Sequence, residues 1–172
     1  MDGKLFYGTQ TGTTQAVADE IYKALSDVLQ DCKCIYGSKI DDLQSADFLV
    51  LGGSTWGDGE LSDDWADFLP QLDRIDLSGK KVALFAVGDQ IGYSYNFVSA
   101  MKILYDKVLE RGAEVIATDV STEGFEYDHS ESVIDGKFIG LVLDEVNESD
   151  LSPQRITQWA NKVRAALGAV AV

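Results

Sequence analysis

The sequence predicts an α/β protein, a single domain over residues 1–172 built on a parallel β-sheet with helices on both faces. Two observations carry this. Short apolar runs of strand length, at 5–7, 48–51, 82–87 and 138–143, alternate with segments whose apolar residues recur at helical spacing. Three of those runs open directly into loops rich in Gly, Thr and Asp, at 8–14, 52–60 and 88–95. In a parallel sheet such loops all lie at the carboxyl edge, where this class of fold binds its ligands.

The elements follow in order. Leu5, Phe6 and Tyr7 form a buried strand, and Val17, Ile21, Ala24, Leu25 and Val28 mark the helix behind it. Residues 32–37 read as a short second strand and 40–47 as a polar connection. The third strand, 48–51, is expected to end at Gly52 and Gly53. A short helix over 62–69 has Ser62 as its N-cap, acids in its first turn, and Trp65, Phe68 and Leu69 as its apolar stripe. A fourth strand spans 82–87. A long helix carries Phe97, Met101, Leu104 and Val108 and stops at Gly112. A fifth strand starts at 114–117 and resumes at 138–143, interrupted by an acidic insertion of weak periodicity at about 119–137. Pro153 opens the last helix, whose face carries Ile156, Trp159, Ala160 and Val163. Trp65 and Trp159 sit on apolar stripes and are expected in the core.

Hydrophobic residues make up 45% of the chain, enough for a packed core. The net charge of −15 disfavours nucleic acid and anionic membrane as partners and suits docking onto a basic protein surface. No apolar run reaches membrane-spanning length, and the first strand begins at once, so no signal peptide is expected. Cys32 and Cys34 alternate on one strand and read as reduced structural thiols of a cytoplasmic protein. No metal site is expected. His129, the only histidine, reads as an exposed residue of the acidic insertion.

The first loop, Gly8-Thr9-Gln10-Thr11-Gly12-Thr13-Thr14, joins a strand to a helix N-terminus. Helix first-turn N–H groups have no intrahelical partner, and the helix dipole favours negative charge there. Four threonine hydroxyls within 9–14 add donors, while no Lys or Arg lies between Gly8 and Gln15. Neither the P-loop signature nor the dinucleotide fingerprint is present. The loop is therefore an anion cradle without a fixed cation. The second and third loops each hold an aromatic, Trp56 and Tyr93, able to flank a flat ring. A phosphate and a flat ring together mean a mononucleotide.

Gly-Thr-Gln-Thr-Gly-Thr-Thr, Ser-Thr-Trp-Gly-Asp-Gly-Glu-Leu and Val-Gly-Asp-Gln-Ile-Gly-Tyr resemble the three FMN-binding loops of flavodoxins, and the resemblance extends over nearly the whole chain. It implies a flavodoxin-like three-layer sandwich with five parallel strands in the order 2-1-3-4-5, an order known for flavodoxin itself. The interrupted fifth strand resembles the long-chain branch. The resemblance also implies a set of roles. Thr9, Gln10, Thr11, Gly12, Thr13 and Thr14 hold the FMN phosphate, with Ser54 and Thr55 on the phosphate and ribityl side. Trp56 and Tyr93 flank the isoalloxazine. Backbone at Gly57, Asp58 and Gly59 meets the N5/O4 edge, and backbone at Gly88, Asp89 and Asn96 the N3/O2 edge. Many relatives carry Lys in the phosphate loop where Thr13 stands. Some carry an acid near position 146, where Val146 is apolar.

The function so implied is a monomeric, diffusible, low-potential one-electron carrier, not an enzyme. Its partners would be the basic faces of redox proteins such as ferredoxin–NADP reductase, photosystem I or nitrogenase. The alternative is a small FMN-dependent quinone or azo reductase, which needs a second-substrate pocket over the ring. Asp58, Glu60, Asp63, Asp64 and Asp67 form the expected acidic docking patch. Gly57 is expected to let its peptide turn on reduction, with φ > 0 needed only in the turned form.

Overall fold

A computed structural model describes residues 1–9 and 11–168. Five parallel strands form the sheet's spine: β1 (Gly3–Tyr7), β2 (Asp31–Cys34), β3 (Phe48–Trp56), β5 (Lys81–Val87) and β10 (Leu141–Leu143), in the order β2-β1-β3-β5-β10. This is the expected 2-1-3-4-5 order when the spine strands alone are counted. The fifth position is filled in two pieces. β6 (Glu114–Val115) pairs with β5 at Lys81 and Val82, and β10 pairs with the same strand further on, at Phe85, Ala86 and Val87. β4 (Glu60–Leu61) is a short antiparallel addition to the end of β3.

Helices cover both faces. On one face α1 (Thr13–Ala24) and α5 (Ser152–Leu167) pack Val17, Ala18, Ile21, Ile156, Trp159 and Val163 against Leu5, Val50, Ala83 and Phe85. On the other, α3 (Asp63–Phe68) and α4 (Ala100–Glu110) pack Trp65, Phe68, Met101, Leu104 and Val108 against Phe6, Leu51, Leu84 and Ala86. Adjacent strand residues thus serve opposite cores, which is why the strand sequences are continuously apolar rather than alternating. Trp65 and Trp159 are buried in these cores, as expected. Each large side chain so buried contributes about 1.5–3 kcal/mol.

Several boundaries depart from expectation. The fifth strand resumes at Leu141 and not at 138, because Phe138 pairs antiparallel with Val120 and Val133 in a separate small sheet, and the long helix starts at Ala100, so Phe97 precedes it. β2 stops at Cys34, because Tyr36 and Gly37 turn away and are exposed. The connection after it contains a short helix, α2 (Ile40–Gln44), in which Asp42 accepts from the Lys39 N–H and Leu43 is buried. β3 runs straight through Gly52 and Gly53 to Trp56. Those glycines are close-approach residues, not strand stops: a Cβ at Gly52 would lie 2.2 Å from the Phe85 ring. The short helix α3 continues as a 3-10 turn over Leu69–Arg74, and Ser62 caps no backbone N–H; its hydroxyl bonds Asp64 instead.

The insertion is folded. β7 (Val120–Ser121), β8 (Val133–Ile134) and β9 (Lys137–Phe138) make a small antiparallel sheet. Asp135 (φ 53°) and Gly136 (φ 77°) form the β8–β9 turn, the Asp-Gly pairing that a two-residue hairpin favours. Phe125, Tyr127 and Phe138 cluster around Phe97 with ring centroids 5.3–6.0 Å apart. His129 is exposed beside Glu131.

Cys32 and Cys34 are free thiols. Burial, with Asp19 and Asp31 nearby, pushes the Cys32 thiol up to about 12. Burial, aided by Asp64, also raises Cys34. Both stay protonated and poorly nucleophilic at neutral pH.

Candidate functional site

Because β1, β3 and β5 are parallel neighbours, the loops that follow them emerge side by side at one edge. The chain runs from β1 out to β2 and then crosses back to β3, so the β1/β3 boundary is the topological switch point.

At that boundary the Gly8 N–H donates to the Gly52 carbonyl (3.0 Å) and the Thr9 N–H to Asp64 Oδ2 (2.8 Å). Gly8 has no room for a side chain: a Cβ would meet Trp65 Cδ1 at 2.3 Å. Thr9 Oγ1 in turn accepts from the Gly12 N–H (3.0 Å). Gly12, at φ 88°, is the N-cap of α1 and offers no side-chain cap, and the first turn holds no acid. The N–H groups at this helix start are thus left for an anion. Thr11, Gly12 and Thr13 are exposed around it, whereas Thr14 is buried at 3% exposure. Gln10, assigned to the same cradle, lies outside the described residues.

β3 delivers Ser54, Thr55 and Trp56 to opposite faces in alternation. Ser54 Oγ accepts from Trp56 Nε1 (2.7 Å) and fixes the indole, which is half-buried. The Thr55 hydroxyl points the other way. It is buried and accepts from the Ala100 N–H (3.0 Å) at the start of α4, which keeps its O–H as a donor. The hairpin between β3 and β4 closes with the Gly59 N–H donating to the Trp56 carbonyl (3.2 Å). Gly57 stands at φ 52° and Gly59 at φ 98°. The expectation that Gly57 needs positive φ only on turning is therefore corrected: the hairpin already holds it there. Asp58 is exposed at the tip.

In the third loop the Gly88 N–H bonds the Leu143 carbonyl (2.9 Å). Asp89 Oδ1 accepts from the Ile91 and Gly92 N–H groups and from Asn147 Nδ2, and the Asp89 carbonyl accepts from Tyr93 N–H. This self-bonded turn holds Tyr93 at the surface, the residue 41% exposed. Asn96 reaches the second loop: a Cβ at Gly59 would lie 3.5 Å from its Oδ1. The three loops thus meet at one edge of the sheet, the first touching the second at Gly52 and the third touching it at Asn96.

Sequence reasoning missed the residues that hold the loops in place. Asp64 was placed in the acidic docking patch, yet its carboxylate also accepts from Ser62 Oγ (2.5 Å) and the Trp65 N–H (2.8 Å) besides Thr9. Gln90 is buried under the third loop. Its Nε2 donates to Asp144 (2.8 Å) and Glu148 (2.6 Å), and its Oε1 accepts from the Glu126 N–H of the insertion (2.6 Å). Asp144 is fully buried. Burial works to raise its pKa, but hydrogen bonds from Asn147 and Gln90 outweigh that and hold it below the usual carboxylate range. Asp144 had one visible signal, an acid directly ending an apolar strand at the binding edge. Gln90 had none.

Two grooves flank α5, one of about 540 Å³ against α1, which Thr13 of the first loop also lines, and one of about 490 Å³ against the insertion. Among the described residues no helix is long and apolar enough to cross a membrane, and no cluster of His, Cys, Asp and Glu could hold a metal.

The fold and loops define a class: an open parallel α/β protein with an anion cradle at its switch point and two aromatics on the adjoining loops. Comparison with known proteins narrows it. The family model described as Flavodoxin matches residues 5–159. A flavodoxin of Synechocystis sp. is 42% identical over 164 residues, covering 95% of this chain and 96% of its own. Flavodoxin 1 of Azotobacter vinelandii is 40% identical over 163 residues, covering 90% and 91%. The solved structure of Fusobacterium nucleatum flavodoxin bound to flavin mononucleotide is similar with a TM-score of 0.89 at 32% identity, covering 96% and 98%. The chain belongs to the flavodoxin family.

Proposed function

We propose that this protein is a one-electron carrier that binds FMN non-covalently and passes electrons at low potential between redox partner proteins. The observation that carries the reading is the junction of β1 and α1. An open helix start, an N-cap glycine and exposed threonine hydroxyls converge there, and Trp56 and Tyr93 stand on the next two loops. The donor set fits a phosphate ester: N–H and O–H groups with no competing acid in the first turn. FMN supplies the electron chemistry when bound. The chain's residues hold it, order its surroundings and set its electrostatics.

Exposed carboxylates at Asp58 and Glu60 disfavour added negative charge on a nearby ring. At an effective dielectric of ~20 and a separation of ~10 Å, one such charge costs about 1.7 kcal/mol. That corresponds to roughly 70 mV for one electron. Several acids together support a low potential. The split fifth strand supports placement in the long-chain branch, and the acid-rich edge supports basic partners such as ferredoxin–NADP reductase, photosystem I or nitrogenase. We read the carrier as cytoplasmic and monomeric.

The test is a redox titration of the purified, flavin-loaded protein, with an NADPH oxidation assay beside it. Two resolved one-electron steps and no NADPH oxidation without an added reductase are expected. Unaided turnover of NADPH with a quinone or azo dye would overturn the carrier reading.

A further inference from the structure

One residue beside the third loop is held where β-branched side chains are outliers. Val98 stands at φ 48° and is buried at 1% exposure, in the connection between the third loop and α4. Ala117 and Asp135 are the other non-glycine residues at positive φ among the described residues, and neither is branched at Cβ. Strain of this kind persists only where the surroundings over-determine it, and it clusters at functional sites.

The side chain's position shows what it does there. A Cβ on Gly88, the first residue of the third loop, would lie 2.8 Å from Val98 Cγ1 and 3.0 Å from Phe97 Cε1. Val98 therefore packs directly against the Gly88 backbone, a close approach that only glycine permits. Glycine at 98 would adopt the same backbone conformation freely, but would leave nothing against Gly88. The same connection also reaches the second loop. A Cβ on Gly59 would lie 3.4 Å from Ser99 Cβ and 3.5 Å from Asn96 Oδ1. Residues 96–99 thus stand between two of the three loops.

The insertion holds this segment from behind. Ser132 is fully buried, and its hydroxyl donates to the Val98 carbonyl (2.7 Å). The Glu131 N–H donates to Ser99 Oγ (3.1 Å), and the Phe97 N–H to the His129 carbonyl (3.1 Å). The Asp128 and His129 N–H groups both reach the Ser94 carbonyl (2.9 and 3.0 Å). These bonds bracket Val98 on both sides, so it cannot relax alone. The phosphate cradle is braced separately, through Gly52 and Asp64.

We propose that Val98 is a positioning residue for the ring half of the cofactor: braced by Ser132 of the insertion, it fixes Gly88 and sets the spacing of the second and third loops. This rests on the reading of those loops as the flavin-ring site. The strained backbone is the cost of placing a branched side chain against Gly88.

The test uses the flavin-loaded protein, with dissociation constants for FMN and riboflavin read by dilution. FMN enriched in carbon-13 at C2 and nitrogen-15 at N3 reports on the ring, and phosphorus-31 on the phosphate. Val98→Ala should raise both dissociation constants about tenfold and leave their ratio unchanged. The C2 and N3 resonances should shift, while the phosphorus resonance stays in place. Ser132→Ala, a milder change, should move the same ring resonances in the same direction. It should add little in the Val98→Ala background, because both act through one segment. Loss of core packing alone lowers the urea midpoint without moving the ring resonances of the loaded protein. A parent protein that takes up neither flavin overturns the flavin reading itself. A parent that binds both, with ring resonances unmoved in both variants, overturns the role of Val98 alone. So does a loss confined to FMN, which would place the effect at the phosphate.

Discussion

Asp64 sits half-buried between the first loop and α3 and accepts from a backbone N–H on each side, Thr9 and Trp65. Asp64→Ala should therefore loosen the phosphate cradle. FMN binding should fall by about 1–3 kcal/mol, the usual range for an unmade hydrogen bond to a charged group. Riboflavin, which lacks the phosphate, should lose much less, and parallel titrations of the two flavins check this. Equal losses would mean that Asp64 supports the whole fold instead of the cradle. Gly57 makes a second residue-scale case. At φ 52° any other residue is strained, and a Cβ would come within 3.3 Å of the Glu60 carboxylate carbon. Gly57→Thr should cost ~1–2 kcal/mol in the oxidised protein as well as on reduction. Calorimetry of the flavin-loaded protein reads this directly, and an unchanged Tm would show that the hairpin accepts another backbone conformation freely.

At the scale of elements, what was legible in the sequence was whatever local pattern dictates. Apolar runs gave the four main strands, 3.6-residue spacing gave α1, α4 and α5, and glycine-rich punctuation gave the three loops. Boundaries were less legible, because tertiary contacts set them. Gly52 reads as a strand stop until the Phe85 ring beside it is known. The insertion reads as irregular because its strands are two residues each, too short for a period. Its Asp135-Gly136 turn was the one local signal it carried. Nothing local shows that the insertion buttresses the third loop, through Glu126 N–H to Gln90, Asp128 and His129 N–H to the Ser94 carbonyl, and Ser132 Oγ to the Val98 carbonyl. Asp144 anchors the same region. Its folded pKa is depressed, so its stabilisation is present above the ordinary value of about 3.9 and lost as pH falls through the folded value. Asp144→Asn should lower the urea midpoint at neutral pH, by about 1–3 kcal/mol in stability. It should also flatten the loss of stability below pH ~4. A variant whose acid limb matches the parent's would remove Asp144 from the account.

At the scale of the whole molecule, a run of acids lies on and beside the second loop. Asp58, Glu60, Asp63 and Asp67 are exposed on and beside the second loop, while Asp64 among them is turned to structure. Together with a net charge of −15, this arrangement should steer a basic partner toward the flavin edge. Screening then gives the prediction its sign. The Debye length shrinks from ~30 Å at 0.01 M salt to ~8 Å at 0.15 M, so the second-order rate of reduction by ferredoxin–NADP reductase should fall as salt rises. Net charge alone would produce some of that slope, so the patch needs its own control. Asp63→Lys with Asp67→Lys should flatten the salt dependence, because both stand on α3 beside the cleft. Glu20→Lys with Glu110→Lys changes net charge by the same amount, but these exposed residues lie on α1 and α4 away from the loops. If steering is local, the first pair slows the low-salt rate strongly and the second does so only slightly. Equal slowing by both pairs would leave net charge as the sole cause and remove any docking role from the α3 acids.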